Sequence, residues 1–463
     1  MGIFINFLVD YLLMKNNLLV RWSIVVSLAG FIFGFDTVVI SGANQPIKDL
    51  WHTSPLFHGF FIMSMALWGT VLGALFGGIP TQIWGRKKVL LWVGILFTLS
   101  AFGTALANDP YLFSFFRFIG GVGIGISSVV APIYISEIAT PSTRGRLVAL
   151  YQFNIVFGIL VAFVSNYALA GFGGDNDWRW MLGVLAIPSI LYTLLVFGIS
   201  ESPRWLITGQ KNIAKAKEIL MNAGVENVDE VVAGILSGGS TEESQQAPAG
   251  WLSKKHRRLL SLAFMIAFFN QLSGINFILY YAPEILEQAG LATRESLFNS
   301  IAIGSTNLVF TFVGLYLIDR LGRKTLLLIG SIGYILSLSM VAYAFYSHAG
   351  AFFLMTFLLL FIAAHAIGQG AVIWVFISEI FPTRIRSAGQ SFGASIHWVF
   401  AALITLVTPV FLDKENGIFK ENPWPIFAFF AGMMVLQLLW VLSSVPETKG
   451  ISLEELEKKL IGK

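Results

Sequence analysis

The chain has 463 residues, of which 56% are hydrophobic and only 12% charged, and its mean hydropathy is +0.74. Roughly 25% charged residues is usual for a soluble domain, so a water-facing surface cannot be built from this sequence. A soluble enzyme, a disordered chain and a fibrous repeat are excluded as descriptions of the whole. The net charge of +4 is small, and the absence of Cys excludes disulfides, thiolate metal sites and Cys nucleophiles.

A membrane-crossing helix needs about 20 mostly apolar residues. Residues 1–19 contain an apolar stretch, but Asp10 and Lys15 interrupt it and no small-residue cleavage site follows. It reads as a short amphipathic or disordered lead-in. Six spans then follow, near residues 20–40, 57–79, 89–107, 111–135, 148–170 and 180–199. Next comes the one long polar stretch, 201–257. It holds a short Lys- and Glu-rich helix over Ala214–Ala223 and a Gly/Ser/Gln run, Gly238–Gln246, with the composition of a flexible linker. Six more spans lie near 259–282, 299–318, 325–346, 353–377, 388–411 and 425–445.

Twelve spans place both termini on one side. Of the 30 Lys and Arg, 24 fall at the termini and in every second loop, five fall on the other side, and Arg117 lies near the start of a span. Basic loops stay in the cytoplasm, so both termini are expected there, in the cell membrane. The expected units are a six-helix bundle over 1–200, a cytoplasmic helical linker over 201–257, a second bundle over 258–446 and a tail over 447–463.

The halves echo each other. Gly85-Arg86-Lys87-Lys88-Val89-Leu90-Leu91 recurs as Gly322-Arg323-Lys324-Thr325-Leu326-Leu327-Leu328. Ser136-Glu137-Ile138 with Arg144 and Arg146 recurs as Ser378-Glu379-Ile380 with Arg384 and Arg386, and Glu201 is answered by Glu447. Two like six-span halves suggest a transporter that binds its cargo between them near mid-membrane.

More specific motifs are Gly34-Phe35-Asp36-Thr37-Val38-Val39-Ile40-Ser41-Gly42, Arg117 with Gly120-Gly121, and Glu201-Ser202-Pro203-Arg204-Trp205-Leu206. The second half adds Gln271-Leu272-Ser273-Gly274-Ile275-Asn276, Asp319-Arg320-Leu321-Gly322-Arg323 and Pro446-Glu447-Thr448-Lys449-Gly450. In combination these residues make the chain resemble a sugar porter of the major facilitator superfamily, over about residues 22–455. The resemblance implies an all-α membrane protein, twelve transmembrane helices in two pseudo-symmetric six-helix bundles. It implies import of a monosaccharide, hexose or pentose, by alternating access. Proton symport is the leading expectation; a facilitative uniporter and a non-transporting sugar sensor are the alternatives. A monomer among membrane lipids, with no cofactor, no metal and no nucleic acid, is expected.

Charge inside a span is costly and pairs with another charge or lines a wet path. Asp36 and Arg117 are therefore either a structural ion pair or a proton-coupling pair. Burial favours a neutral carboxyl, whereas an adjacent guanidinium favours the carboxylate, so separating the two could load or release a proton. Proton-coupled members of the family are similar at both positions, and uniporters typically have a neutral residue in place of Asp36.

A sugar offers many hydroxyls, which suit amides that both donate and accept and aromatic faces. The intramembrane amides are Gln152, Asn270, Gln271, Asn276 and Asn307. By resemblance Gln152, Gln271, Asn276 and Asn307 match the family's sugar-binding amides, and Trp374 and Trp398 its aromatic positions. Asn270 and His397 depart from the family's usual amides, and His365 stands near a position that is acidic in animal hexose facilitators.

At the cytoplasmic span ends, Arg86, Glu137, Arg144 and Arg146, with Asp319, Arg323, Glu379, Arg384 and Arg386, have the signs for a salt-bridge gate. The first half has Gln82-Ile83 where the second has Asp319-Arg320, so its gate lacks one acid. Gly120, Gly121, Gly123 and Gly125 suit close helix approach in lipid rather than a dinucleotide loop. Gly389-Gln390-Ser391-Phe392-Gly393 has the letters of a hydrolase elbow but opens an apolar helix, and an elbow needs a strand-turn-helix. No HExxH and no P-loop occurs, so no enzyme is expected.

Overall fold

The computed structural model describes residues 18–139, 143–225, 227–242, 254–382, 385–451 and 453–461, which form helices and connecting loops. Eleven of these helices are long and apolar enough to cross a membrane, and the bent pair Pro55–Met63 and Met65–Phe76, counted as one span, makes twelve. The first six are Leu18–Trp51, that bent pair, Arg86–Leu106, Pro110–Ile138, Arg144–Leu169 and Gly174–Phe197. The second six are Arg257–Gln288, Thr293–Leu321, Arg323–Ser347, Ala351–Ile380, Ala388–Leu412 and Trp424–Ser444. Large apolar side chains such as Trp92, Leu106, Leu194 and Phe352 face outward, as lipid contact requires.

Small residues decide which helices touch. A Cβ on Gly34 would sit 1.8 Å from the carbonyl oxygen of Ile155, and one on Gly158 2.1 Å from that of Phe31, so the first and fifth spans meet backbone to backbone. Gly121 meets Ala66 in the same way, at 1.9 Å, joining the fourth span to the second. The Gly-rich stretch is thus a packing surface. The two halves meet where the first span packs on the seventh, the second on the eleventh, and the fifth on the eighth. Advancing each span by six maps the second–eleventh contact onto the eighth–fifth one, so the interface obeys the repeat seen in the sequence.

Four spans are discontinuous. The second bends by 43° after a π-helical turn at His58–Met63. The sixth breaks at Val184 and Leu185, between Asp177–Gly183 and Ala186–Phe197. The seventh breaks at Gly274, whose φ is +86°, and kinks again at Tyr281 before Pro283. The tenth breaks at Gly368, between Ala351–Ile367 and Gln369–Ile380. Broken helices free backbone groups and side chains at membrane depth, the usual place for a transporter site.

Hydropathy places the cores of the spans correctly and misses their polar ends. The first helix runs to Trp51 and the seventh to Gln288, well past the apolar stretches that define them. The polar helix after the sixth span runs Ile213–Asn222, and a further one runs Val228–Glu242. Residues 238–242 of the expected flexible run are therefore helical, because the apolar spacing of Val228, Val231, Val232 and Ile235 carries the helix into the glycines. The rest of that run, and nearly all of the N-terminal lead-in, lie outside the described residues.

Glu201 and Glu447 have a role that their spacing did not convey. Glu201 accepts from the backbone amides of Arg86 and Lys87, at 3.0 and 3.2 Å, at the start of the third span. Glu447 accepts from those of Arg323 and Lys324, at 2.9 and 3.0 Å, at the start of the ninth. Each carboxylate thus binds a helix N-terminus, where free N–H groups and the helix dipole favour negative charge. Gly85 and Gly322 precede those helices with φ of +93° and +89°, and a Cβ on either would fall about on the carboxylate, at 2.4 and 2.5 Å.

The two sites differ in balance. Burial pushes the Glu201 carboxyl above the usual range despite its backbone hydrogen bonds. Burial also pushes Glu447 upward, but the amides of Lys449, Arg323, Lys324 and Thr448 outweigh it and hold the carboxyl below that range. A lowered folded-state pKa stabilises above the ordinary carboxylate range and is lost as pH falls through the lowered value; a raised one works in the opposite sense. At neutral pH, Glu447→Gln is therefore expected to lower the melting temperature more than Glu201→Gln, and its deficit should shrink on acidification. Equal deficits at every pH would contradict the asymmetry.

Candidate functional site

The fourth span starts cleanly: Asp109 caps it by accepting from Tyr111 and Leu112, and Pro110 takes the first helical position. Two turns on, Arg117 points at the first span. Its Nη1 lies 2.6 Å from Asp36 Oδ1, and the two residues are 1% and 2% exposed. Neither partner is saturated: Asp36 Oδ2 and Arg117 Nε have no hydrogen-bond partner. Tyr280, just before the kink of the seventh span, is buried. The span that carries Asp36 in one half packs on the broken helix of the other.

That broken helix carries the densest group of amides. Across the break, Asn276 Nδ2 donates to Gln271 Oε1 at 2.8 Å, and Gln271 Nε2 donates to Asn270 Oδ1 at 3.0 Å. Gln271 Nε2 also lies 3.2 Å from the ring nitrogens of His397. His397 in turn packs between Trp374 and Trp398, with ring centroids 5.0 and 4.8 Å away. Phe33 of the first span meets Trp398 at 5.6 Å and extends this aromatic wall into the other half, a contact the sequence had not signalled. The arrangement offers donors, acceptors and apolar faces together, as a polyhydroxylated ring requires.

Six of the expected binding residues, Asn270, Gln271, Asn276, Trp374, His397 and Trp398, are therefore one cluster. Gln152 and Asn307 are not members of its hydrogen-bond chain. They belong to the fifth and eighth spans, which pack together through Phe153 and Phe312 at 5.6 Å. His365 donates to or accepts from the Tyr334 hydroxyl at 2.8 Å, inside the second half.

The expected gate residues divide likewise. Arg86 holds Glu137 with two hydrogen bonds, 2.7 and 2.9 Å, and Arg323 holds Glu379 with two, 2.7 and 3.1 Å. Both pairs lie within a half, third span to fourth and ninth to tenth. Asp319 adds a 3.3 Å contact to Arg323, but its side chain is 80% exposed, so it contributes little. Arg144 and Arg146 stand at the exposed start of the fifth span, and Arg386 Nε donates to the Phe381 carbonyl at 3.3 Å. Arg384 lies outside the described residues.

Comparison with known proteins identifies the family and the fold. The family described as "Sugar (and other) transporter" matches residues 22–460. An arabinose-proton symporter of Bacillus subtilis (strain 168) is 33% identical over 442 residues, which cover 94% of each chain. The inward open conformation of the xylose transporter XylE from E. coli superposes with a TM-score of 0.82, at 30% identity, over 96% of this chain and 100% of that one. The proton:xylose symporter XylE bound to 6-bromo-6-deoxy-D-glucose superposes at 0.75, with 30% identity, over 96% and 99%.

Proposed function

The chain belongs to the sugar transporter family, and on that premise we propose that it imports a monosaccharide together with a proton by alternating access. It does so as a monomer in the cell membrane, with both termini in the cytoplasm. The observation that carries this reading is the buried Asp36–Arg117 pair, whose first span packs on the seventh, the span that bears the amide cluster. The relatives reported above are named as proton symporters of arabinose and xylose, which supports the same reading.

The chemistry follows from electrostatics. While Asp36 is charged, it and Arg117 neutralise each other in a place where either alone would be expensive. A proton on Asp36 cancels that attraction and leaves Arg117 to seek another acceptor, so the first and fourth spans are free to shift. The first span packs on the seventh and, through Phe33, on Trp398 of the aromatic wall, so a shift there reaches the sugar cluster. The hydroxyls of the sugar replace the amide-to-amide bonds among Asn276, Gln271 and Asn270. Trp374, His397 and Trp398 cover its apolar face.

Counterflow in proteoliposomes tests the cargo class. Vesicles preloaded with unlabelled arabinose, xylose, galactose or glucose are expected to take up the same labelled sugar transiently above equilibrium for at least one member of the panel. Folded protein that exchanges none of them would overturn the sugar assignment.

A further inference from the structure

The halves are held together at the end away from the basic loops by charges as well as by apolar packing. Lys48, on the polar last turns of the first span, forms an ion pair with Asp413, which terminates the eleventh; their side chains are 11% and 3% exposed. One turn earlier, Asn44 Nδ2 donates to Glu284 Oε2 at 2.8 Å, on the segment of the seventh span beyond the Tyr281 kink. Residues four apart share a helix face, so one face of the first span grips two separate elements of the other half.

The Asn44 contact is orientated. His58 Nε2 lies 2.7 Å from Asn44 Oδ1, and His58 Nδ1 lies 2.8 Å from Thr53 Oγ1. An amide oxygen only accepts, so the imidazole donates through Nε2 and accepts the Thr53 hydroxyl through Nδ1. That fixes the amide with its nitrogen toward the Glu284 carboxylate. The second span thereby contributes to the grip through the π-helical turn that holds His58.

These contacts exist only while the halves meet at this end, and alternating access requires them to part there once in each cycle. We propose that Lys48–Asp413 and Asn44–Glu284 form the latch that sets how often the carrier opens to the outside. Breaking a desolvated ion pair is strongly unfavourable, so the latch biases the sugar-free carrier toward the inward-facing form. This rests on the transport reading above for the alternating cycle and for which side that end faces.

The chain has no Cys of its own, so a single reporter can be placed. Ser41 lies one turn below Asn44, is 5% exposed, and its hydroxyl has no partner, so Ser41→Cys costs no hydrogen bond. In full-length protein in proteoliposomes, a membrane-impermeant maleimide should label this Cys slowly. Lys48→Met or Glu284→Gln on that background is expected to raise the labelling rate about tenfold, which corresponds to ~1.4 kcal/mol. The exchanged pair Lys48→Asp with Asp413→Lys should bring it back down. Unchanged labelling in the single variants would overturn the latch, as would a raised rate that the exchanged pair leaves high. Lost counterflow with a lowered melting temperature in both single variants would make these residues structural and overturn it too. Faster labelling in a protein that carries no sugar would leave the latch standing and sink the transport reading instead.

Discussion

Asp36→Asn is expected to abolish uphill accumulation of sugar while leaving exchange down a gradient intact. The substitution keeps the shape of the side chain and removes its only titratable proton. In the wild type, each sugar that enters with a proton draws on the membrane potential, worth about 2.3 kcal/mol per elementary charge at 100 mV. That alone supports an accumulation of roughly fiftyfold. Asn at this position carries no proton, so accumulation should fall to the outside concentration. Exchange should survive because Gln271, Asn276, Trp374 and Trp398 are untouched. Arg117 loses its counter-charge in a site where it is 1% exposed, and an unpaired buried charge is destabilising. Protein yield and melting temperature are therefore measured beside transport. Wild-type accumulation in Asp36→Asn vesicles would remove Asp36 from proton coupling.

The second large effect is expected at the span-seven amides. Gln271 is the hub: it donates toward Asn270 and His397 and accepts from Asn276. Gln271→Ala removes the proposed sugar partner and also strands Asn276 Nδ2 and Asn270 Oδ1. Leaving a buried polar group unpaired costs about 1–3 kcal/mol, roughly tenfold to a hundredfold in affinity. Asn276→Ala should fall in the same range, toward its lower end, because it strands one acceptor rather than several groups. Titration of purified protein with the best counterflow sugar gives the numbers. Wild-type affinity in both variants would show that the cargo binds elsewhere, with the fifth–eighth seam that carries Gln152 and Asn307 the next place to look.

Much of this was legible in the sequence because it depends on local pattern. Runs of about 20 apolar residues place the twelve spans, and the recurrence of Gly85-Arg86 as Gly322-Arg323 places two halves. Asp36 and Arg117 stand out because charge is rare within spans; the amides stand out because few polar residues interrupt so much Leu, Ile and Phe. Other features depend on the register of one half against the other. Lys48 reads as an ordinary loop cation until Asp413 is found beside it. Asn44 and Glu284, 240 positions apart, lie on helix ends too polar for hydropathy to recognise. The pairing of Glu201 and Glu447 with helix N-termini was equally hidden, since their partners are backbone amides and leave no mark in side-chain composition. Glycine offered a partial signal there: the positive φ before Arg86 and Arg323 exists to admit a carboxylate.

Proton coupling is read most directly from sugar-linked proton movement. Purified wild-type protein is reconstituted in lightly buffered vesicles with no imposed gradient, and a sugar that passes the counterflow assay is added outside. An immediate rise in external pH is expected, because each sugar takes a proton inward. The rise should be absent in Asp36→Asn vesicles and abolished by an uncoupler. Sugar entry into the wild-type vesicles at a normal rate with no change in external pH would contradict proton symport and identify the carrier as a uniporter.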